Sequence, residues 1–308
     1  MNKFLKILLA LSAFVLGFGA STAALADDKV CTTCHDASWD KPILSIYQTK
    51  HGVKADPRTP GCQSCHGVSD GHLKNPGTAP DMTFTKKSQN TSEAKNDACL
   101  SCHKAGKRAH WDGSQHQGQG LACASCHTVH AVKDRVLSKA TQPEVCYTCH
   151  KTQRAEFNKI SHMPVPEGKM GCSDCHNPHG STGPKLLVKN TVNETCFTCH
   201  ADRRGPFLWE HAPVSDDCTN CHSQHGSNNA PLLKSKVPWL CQNCHTGDHA
   251  SSLKSGSTML SGNATTVNGK QAPGSVSAQV QTVGRSCLNC HVMIHGSNNP
   301  GPGAKFQR

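Results

Sequence analysis

The longest apolar stretch of this chain lies at its beginning. A mildly basic opening with Lys3 and Lys6 leads into a mainly apolar run over residues 7–20, and small residues then lead to Ala24-Leu25-Ala26. That order describes a secretory signal peptide over residues 1–26 rather than a membrane span, with the mature chain starting at Asp27. No cysteine sits at the cut, so a lipid anchor is not expected. No later stretch approaches the ~20 apolar residues of a transmembrane helix, and the mature protein reads as soluble and exported. After residue 26, Leu, Ile, Val and Phe together make 40 of 282 residues. That is well under the roughly 20 per cent below which a chain rarely folds around its own side chains. Either the chain is disordered or something other than protein supplies its core.

The polar stretches carry turn signals, as in Asn177-Pro178-His179-Gly180 and Gln224-His225-Gly226-Ser227-Asn228-Asn229. Short helices are predicted over residues 144–157 and 193–203, the second capped by Asn193. Residues 251–286, rich in Ser, Gly, Thr and Val, read as a flexible loop. Between Cys99 and Cys241 cysteine pairs recur every 22 to 26 residues, and the doubled unit recurs at 47, 50 and 45 residues. Such periods mark arrays in which each unit contacts its neighbours, so an elongated molecule is expected. A division near residue 150 separates an N-terminal half, 27–150, from a C-terminal half, 151–308.

All twenty cysteines fall in Cys-x-x-Cys pairs, and each pair is followed at once by histidine. The motifs are Cys31/Cys34/His35, Cys62/Cys65/His66, Cys99/Cys102/His103, Cys123/Cys126/His127, Cys146/Cys149/His150, Cys172/Cys175/His176, Cys196/Cys199/His200, Cys218/Cys221/His222, Cys241/Cys244/His245 and Cys287/Cys290/His291. Two thiols at this spacing form thioethers to the two vinyl groups on one porphyrin edge, and the next histidine reaches the iron from one face. Disulfide pairing, the usual reading of an even cysteine count in an exported chain, needs no histidine after every second cysteine. Zinc ribbons pair knuckles at a fixed separation, whereas these separations run from 22 to 46 residues. The expected fold is therefore a multihaem cytochrome c: loops and short α-helices around an elongated chain of ten haems, with little or no β-sheet.

Ten irons need ten second ligands, and removing the motif histidines leaves eleven. Aligning the copies selects His51, His72, His116, His130, His162, His179, His211, His225, His249 and His295 as distal ligands. His110 has no counterpart and reads as a surface residue beside Trp111. Only five methionines remain after Met1, so ligation by two histidines is expected at every iron. His130 lies three residues beyond His127, a tether of at most about 10 Å. Both ends sit on one side of a ring already held by two thioethers, so His130, His179 and His225 are expected to serve neighbouring haems.

The formal charge of +11 falls to +9 once Lys3 and Lys6 leave. The remaining Lys and Arg are scattered singly between motifs and face haem propionates, so nucleic acid is not the expected partner. An iron held by two histidines has no vacancy for a substrate. No variant motif such as Cys-x-x-Cys-Lys creates one, so the chain reads as an electron carrier and not an enzyme. A second histidine in place of methionine lowers the reduction potential.

Three stretches go beyond the motif itself: residues 172–180, with Cys172-Ser-Asp-Cys175-His176-Asn-Pro-His179-Gly180; Arg204-Gly205-Pro206-Phe207-Leu208-Trp209-Glu210-His211-Ala212-Pro213-Val214; and the closing Gly284-Arg285-Ser286-Cys287-Leu288-Asn289-Cys290-His291. With ten motifs in this spacing, the chain resembles the periplasmic decahaem c-type cytochromes of the MtrA/DmsE family over nearly its whole mature length. The resemblance implies a periplasmic cytochrome held at the outer membrane in a β-barrel partner. It would pass electrons from periplasmic or inner-membrane cytochrome donors to an extracellular multihaem cytochrome or reductase in anaerobic respiration. The competing readings are a soluble periplasmic shuttle feeding a periplasmic reductase, and a haem reductase of an oxyanion such as nitrite or tetrathionate.

Overall fold

In the computed structural model, which describes residues 28–53, 55–56, 58–245, 266–267, 270–271, 286–289 and 291–299, each cysteine pair coils into one helical turn. The motif histidine N–H donates back to the carbonyl of the first cysteine at 2.9–3.1 Å in the motifs that begin at Cys31, Cys123, Cys146, Cys172, Cys196, Cys218, Cys241 and Cys287. Positions i, i+3 and i+4 of a helical turn share one face, so this closure sets both sulfurs and the imidazole on one side. The signal peptide, His249 and Cys290 lie outside the described residues, as does most of 251–286.

The helices are short. They are α1 (Lys29–Thr32), α2 (Cys62–His66), α3 (Asp70–Lys74), α4 (Ser92–Leu100), α5 (Gln115–Gly118), α6 (Gln142–Cys146), α7 (Lys151–Phe157), α8 (Val192–Phe197), α9 (Ala212–Asp216) and α10 (Trp239–Gln242). Single 3-10 turns join them. Strand pairing among the described residues amounts to two antiparallel two-residue ribbons. In one, β1 (Ser161–His162) pairs with β2 (Gly226–Ser227); in the other, β3 (Thr266–Val267) pairs with β4 (Lys270–Gln271). The expectation of loops and short helices with little sheet therefore holds.

Two details differ from the sequence reading. The segments 144–157 and 193–203 are each split, because His150 (ψ 63°) and His200 (ψ 52°) leave the helical region once their motif turn has closed. Nor is Asn193 a cap. Thr191 fills that role, its hydroxyl accepting from Glu194 N–H at 3.0 Å. Asn193 is instead buried within α8 and spans a gap: its Nδ2 donates to the carbonyls of Val214 and Ser215, and its Oδ1 accepts from Cys218 N–H at 2.7 Å.

This tie recurs. Asn96 Oδ1 accepts from Cys123 N–H at 2.8 Å, and Asp28 Oδ1 accepts from Cys62 N–H at 2.8 Å. Each donor-seeking oxygen lies three residues before the first cysteine of one motif and holds the first cysteine of the next. Gln142, four residues before Cys146, holds Ser173 N–H in the same way at 3.0 Å. Asn193→Ala removes three hydrogen bonds made by a buried side chain and is expected to lower unfolding stability by about 2 kcal/mol. Guanidinium unfolding followed by far-ultraviolet dichroism measures it.

The described residues form two compact units. One runs to Cys102 and includes Cys123–Lys133; the other holds His103–Ala122 and the chain from Asp134 onward. In the first, Tyr47 donates to Asp28 Oδ2 at 2.9 Å, and the Ser45 hydroxyl donates to the His130 carbonyl. In the second, Tyr147, Phe157 and Val165 form a small cluster with Met163 and Met170 against it. Beyond these three, the buried apolar side chains are Trp111 and Ala122, while Ile160, Leu137 and Trp239 stay largely exposed. The protein part of the core is as thin as the composition requires.

Candidate functional site

Sulfurs of successive motifs lie beside one another. First cysteines make side-chain contacts within consecutive motif pairs: Cys31 with Cys62, Cys99 with Cys123, Cys146 with Cys172, Cys196 with Cys218 and Cys241 with Cys287. Second cysteines lie close enough to repel as thiolates where one pair meets the next, at Cys65/Cys102, Cys175/Cys199 and Cys221/Cys244. As thiols these groups perturb each other strongly. The hydrogen bond from Cys99 pulls Cys123 down to about 7, and burial with the Asp28 contact pushes Cys62 up to about 12. Within each unit, motif order along the chain is thus motif order in space.

The two thiols of a motif differ in their surroundings. Every first cysteine is half-buried, because it packs against the first cysteine of its paired motif. The second cysteines Cys34, Cys102, Cys126, Cys149, Cys199 and Cys244 are instead exposed; only Cys65, Cys175 and Cys221 are half-buried among the described second positions. Exposure suits thioether chemistry, since a vinyl group must reach the sulfur before the bond can form. None of the described cysteines is joined in a disulfide.

Imidazoles meet in pairs drawn from distant segments. Ring centroids are 5.9 Å apart for His35/His72, 6.0 Å for His66/His130 and His211/His245, 6.1 Å for His222/His295, 6.2 Å for His116/His150 and 6.3 Å for His176/His225. In every pair one member closes a motif and the other is a sequence-predicted distal residue. A metal between two imidazoles needs about 2 Å to each nitrogen, and each ring centre lies about 1 Å further on, which makes ~6 Å in all. The spacing of each pair would suit one metal ion between the two rings.

Two nitrogens do not complete a zinc site, which takes four ligands. Among the described residues no group of three or more His, Cys, Asp or Glu side chains converges on a metal position. An iron whose remaining four ligands come from a porphyrin fits. Three buried donors, Trp111 Nε1, Tyr147 Oη and Gln242 Nε2, have no acceptor among the described residues, and porphyrin propionates are acceptors.

Hydrogen bonds fix which imidazole nitrogen points inward. The Nδ1 atoms of His66, His72, His116, His176 and His222 donate to the carbonyls of Met82, Thr78, Pro178, Lys185 and Pro231 at 2.6–3.0 Å. A carbonyl only accepts, so Nδ1 carries the proton and Nε2 keeps its lone pair for a metal. Burial, aided by the facing histidine, holds the pKa of His35, His130, His176 and His211 below the ordinary value. His295 is lowered by burial and by Arg203, whose Nη1 lies 3.3 Å from its Nδ1. The shift in all five favours the neutral imidazole, the form that can bind a metal.

The His176 and His222 turns share one device. A loop folds back so that Asn177 N–H and Ser223 N–H donate to the carbonyls of Leu186 and Leu232, both at 2.7 Å. Leu186 and Leu232 both have positive φ, a conformation the tight return requires.

His162 stands apart. Its Nδ1 donates to the Lys159 carbonyl at 2.6 Å, while its Nε2 faces Glu167 Oε1 at 3.0 Å, and the two contacts raise its pKa. His51, His103, His127, His179, His200 and His291 are not members of the six pairs. His110 is exposed, and its carbonyl lies against Gly180, where an added Cβ would come within 2.0 Å of it. Sequence reasoning missed the Asp28, Asn96, Gln142 and Asn193 ties and the carboxylate that holds His225, described below. A polar residue three or four positions before the motifs at Cys31, Cys99, Cys146 and Cys196 was the available signal.

Comparison with known proteins bears on the same residues. A family described as the doubled CXXCH motif matches residues 162–205 and 211–250, and one described as cytochrome c-type protein NrfB-like matches residues 62–142. The chain is 45% identical over 283 residues to a protein named multiheme cytochrome MtrA from Shewanella baltica (strain OS185), covering 90% of this chain and 80% of that one. It belongs to the MtrA family of multihaem cytochromes c. It is also 32% identical over 163 residues to cytochrome c-type protein NrfB of Haemophilus influenzae, covering 43% of this chain and 70% of that one. As an MtrA-family cytochrome, the chain carries covalently bound haem c on its CXXCH motifs and transfers electrons. The two doubled-motif matches begin at or near an isolated histidine, His162 and His211.

Proposed function

We propose that this cytochrome carries ten haems c, each iron held by two histidines, and conducts electrons across the outer membrane inside a β-barrel partner. Haem c supplies the one-electron iron centre; the chain holds and spaces these centres. The observation that carries the reading is the set of six imidazole pairs at 5.9–6.3 Å, each joining separate motif segments.

The pairs suggest an order. The isolated histidine after one motif faces the motif two further on, as His116 does His150 and His211 does His245. The trailing histidine faces the motif two back, as His130 does His66, His225 does His176 and His295 does His222. At the start of the chain His72 serves His35. The same step assigns His162 to His200, with Nε2 released from Glu167, and His51, His179 and His249 complete the set of ten.

Donors are periplasmic or inner-membrane cytochromes, and the acceptor is an extracellular multihaem cytochrome or reductase. Kinship with MtrA over 90% of the chain supports this placement. No helix among the described residues is long and apolar enough to cross a membrane, and the mean hydropathy of −0.51 suits a polar barrel lumen.

Gentle detergent extraction is expected to recover the cytochrome with a barrel protein, its intact mass ten haems above the mature polypeptide and its spectrum uniformly low-spin. Recovery only as a free monomer would favour the periplasmic shuttle. A native high-spin fraction would favour a reductase.

A further inference from the structure

His225 differs from the other ring pairs in what holds it. Where His66, His72, His116, His176 and His222 donate Nδ1–H to a neutral carbonyl, His225 donates to a carboxylate, Glu156 Oε2, at 3.0 Å. The site is built. His225 and Glu156 are 23% and 27% exposed at the side chain, and the Phe157 ring lies 5.4 Å from the imidazole. The α7 segment is seated against β2 so closely that a Cβ on Gly226 would stand 2.0 Å from the Glu156 carbonyl. Only glycine allows that approach, and the approach sets Glu156 over His225. Arg154, the nearest cation on α7, turns away to Glu144 at 3.6 Å and over the Tyr147 ring.

We propose that Glu156 is a positioning residue that lowers the reduction potential of the haem between His176 and His225. This rests on His225 as an axial ligand. A carboxylate bonded to the outer nitrogen makes an imidazole a stronger donor. Reduction adds one electron to the iron and removes one positive charge from the site. A fixed negative charge hydrogen-bonded to the ligand therefore stabilises the ferric form over the ferrous form and lowers the haem potential. Partial burial keeps water from screening it fully. The neutral carbonyl partners of the five rings named above lack this term, so the haem at Cys172/Cys175 sits lower than it would with a carbonyl partner, as a step in the chain of centres.

Glu156→Gln in the full-length, haem-loaded protein tests this, because glutamine keeps the shape and an acceptor while removing the charge. Spectropotentiometric titration is expected to show one component rising by about tenfold in its reduction equilibrium constant, about 59 mV for one electron, with the others unmoved. The low-spin electron paramagnetic resonance signal of one haem shifts without loss of intensity, and Glu156→Asp restores much of the native value. Unchanged potentials in Glu156→Gln overturn the proposal, and so does a new high-spin signal, which would mean that the residue only props the ligand in place. His225→Ala separates the underlying reading. A single high-spin haem there keeps His225 as a ligand whatever Glu156→Gln shows, and its absence removes the ligand and the proposal together.

Discussion

His130→Ala is expected to leave all ten haems attached but to convert one of them, the haem on Cys62 and Cys65, to the high-spin state. The thioethers and His66 remain, so the intact mass falls only by the side-chain difference. What disappears is the ring 6.0 Å across from His66. Burial and His66 hold His130 below its ordinary pKa, so the group removed is a neutral imidazole ready to bind iron. Resonance Raman or electron paramagnetic resonance then reports one high-spin centre among low-spin ones. The change also cuts a tie within the first unit, since His130 joins the turn after one motif to the face of another while its carbonyl receives the Ser45 hydroxyl. Loss of a metal ligand is among the few causes of large destabilisation, and about 3 kcal/mol or more is expected here. His110→Ala is the internal control: that residue is exposed, and its removal is expected to leave the spectrum unchanged. A uniformly low-spin His130→Ala protein would overturn the assignment.

The second large effect concerns the chain without its cofactor. Mature polypeptide made without haem attachment is expected to be unfolded, with a disordered far-ultraviolet dichroism spectrum and no cooperative thermal transition. The buried apolar side chains among the described residues are Trp111, Ala122, Tyr147, Phe157 and Val165. The large ones among them stabilise by roughly 1.5–3 kcal/mol each and Ala122 by less, whereas ordering the backbone costs about 1–2 kcal/mol for every residue fixed. Helices of four to nine residues do not hold by themselves in water. Metal-centred domains behave this way, because ligand binding free energy is folding free energy. A sharp unfolding transition in the haem-free chain would show that the protein carries a core of its own.

The sequence told a good deal about this site and less about its connections. The attachment points are legible because thioether chemistry is written locally, in five consecutive residues, and the distal candidates because the repeat sets each beside a motif. Which histidine faces which is not legible. His66 and His130 are 64 positions apart in the chain, and nothing local encodes that meeting. The helix breaks at His150 and His200 escape notice because propensity favours continuing through them, whereas the closed motif turn prevents it. Asn193 reads as a cap from its residue type; the structure uses the same amide to hold Cys218. The weight of the fold lies in such side-chain ties and imidazole pairs, which act over distances that hydrophobic periodicity does not cover.

The direction of these pairings has a consequence for biogenesis. His150 and His245 face residues that lie earlier in the chain, so their partners have already left the export channel when they appear. His35, His66, His176 and His222 face residues that come later. Under the ligation proposed above, a haem fastened behind His66 waits with one open coordination site until residue 130 has emerged. An export pause or a premature stop between the two would strand a reactive iron on the nascent polypeptide, the kind of product that periplasmic proteolysis would have to clear.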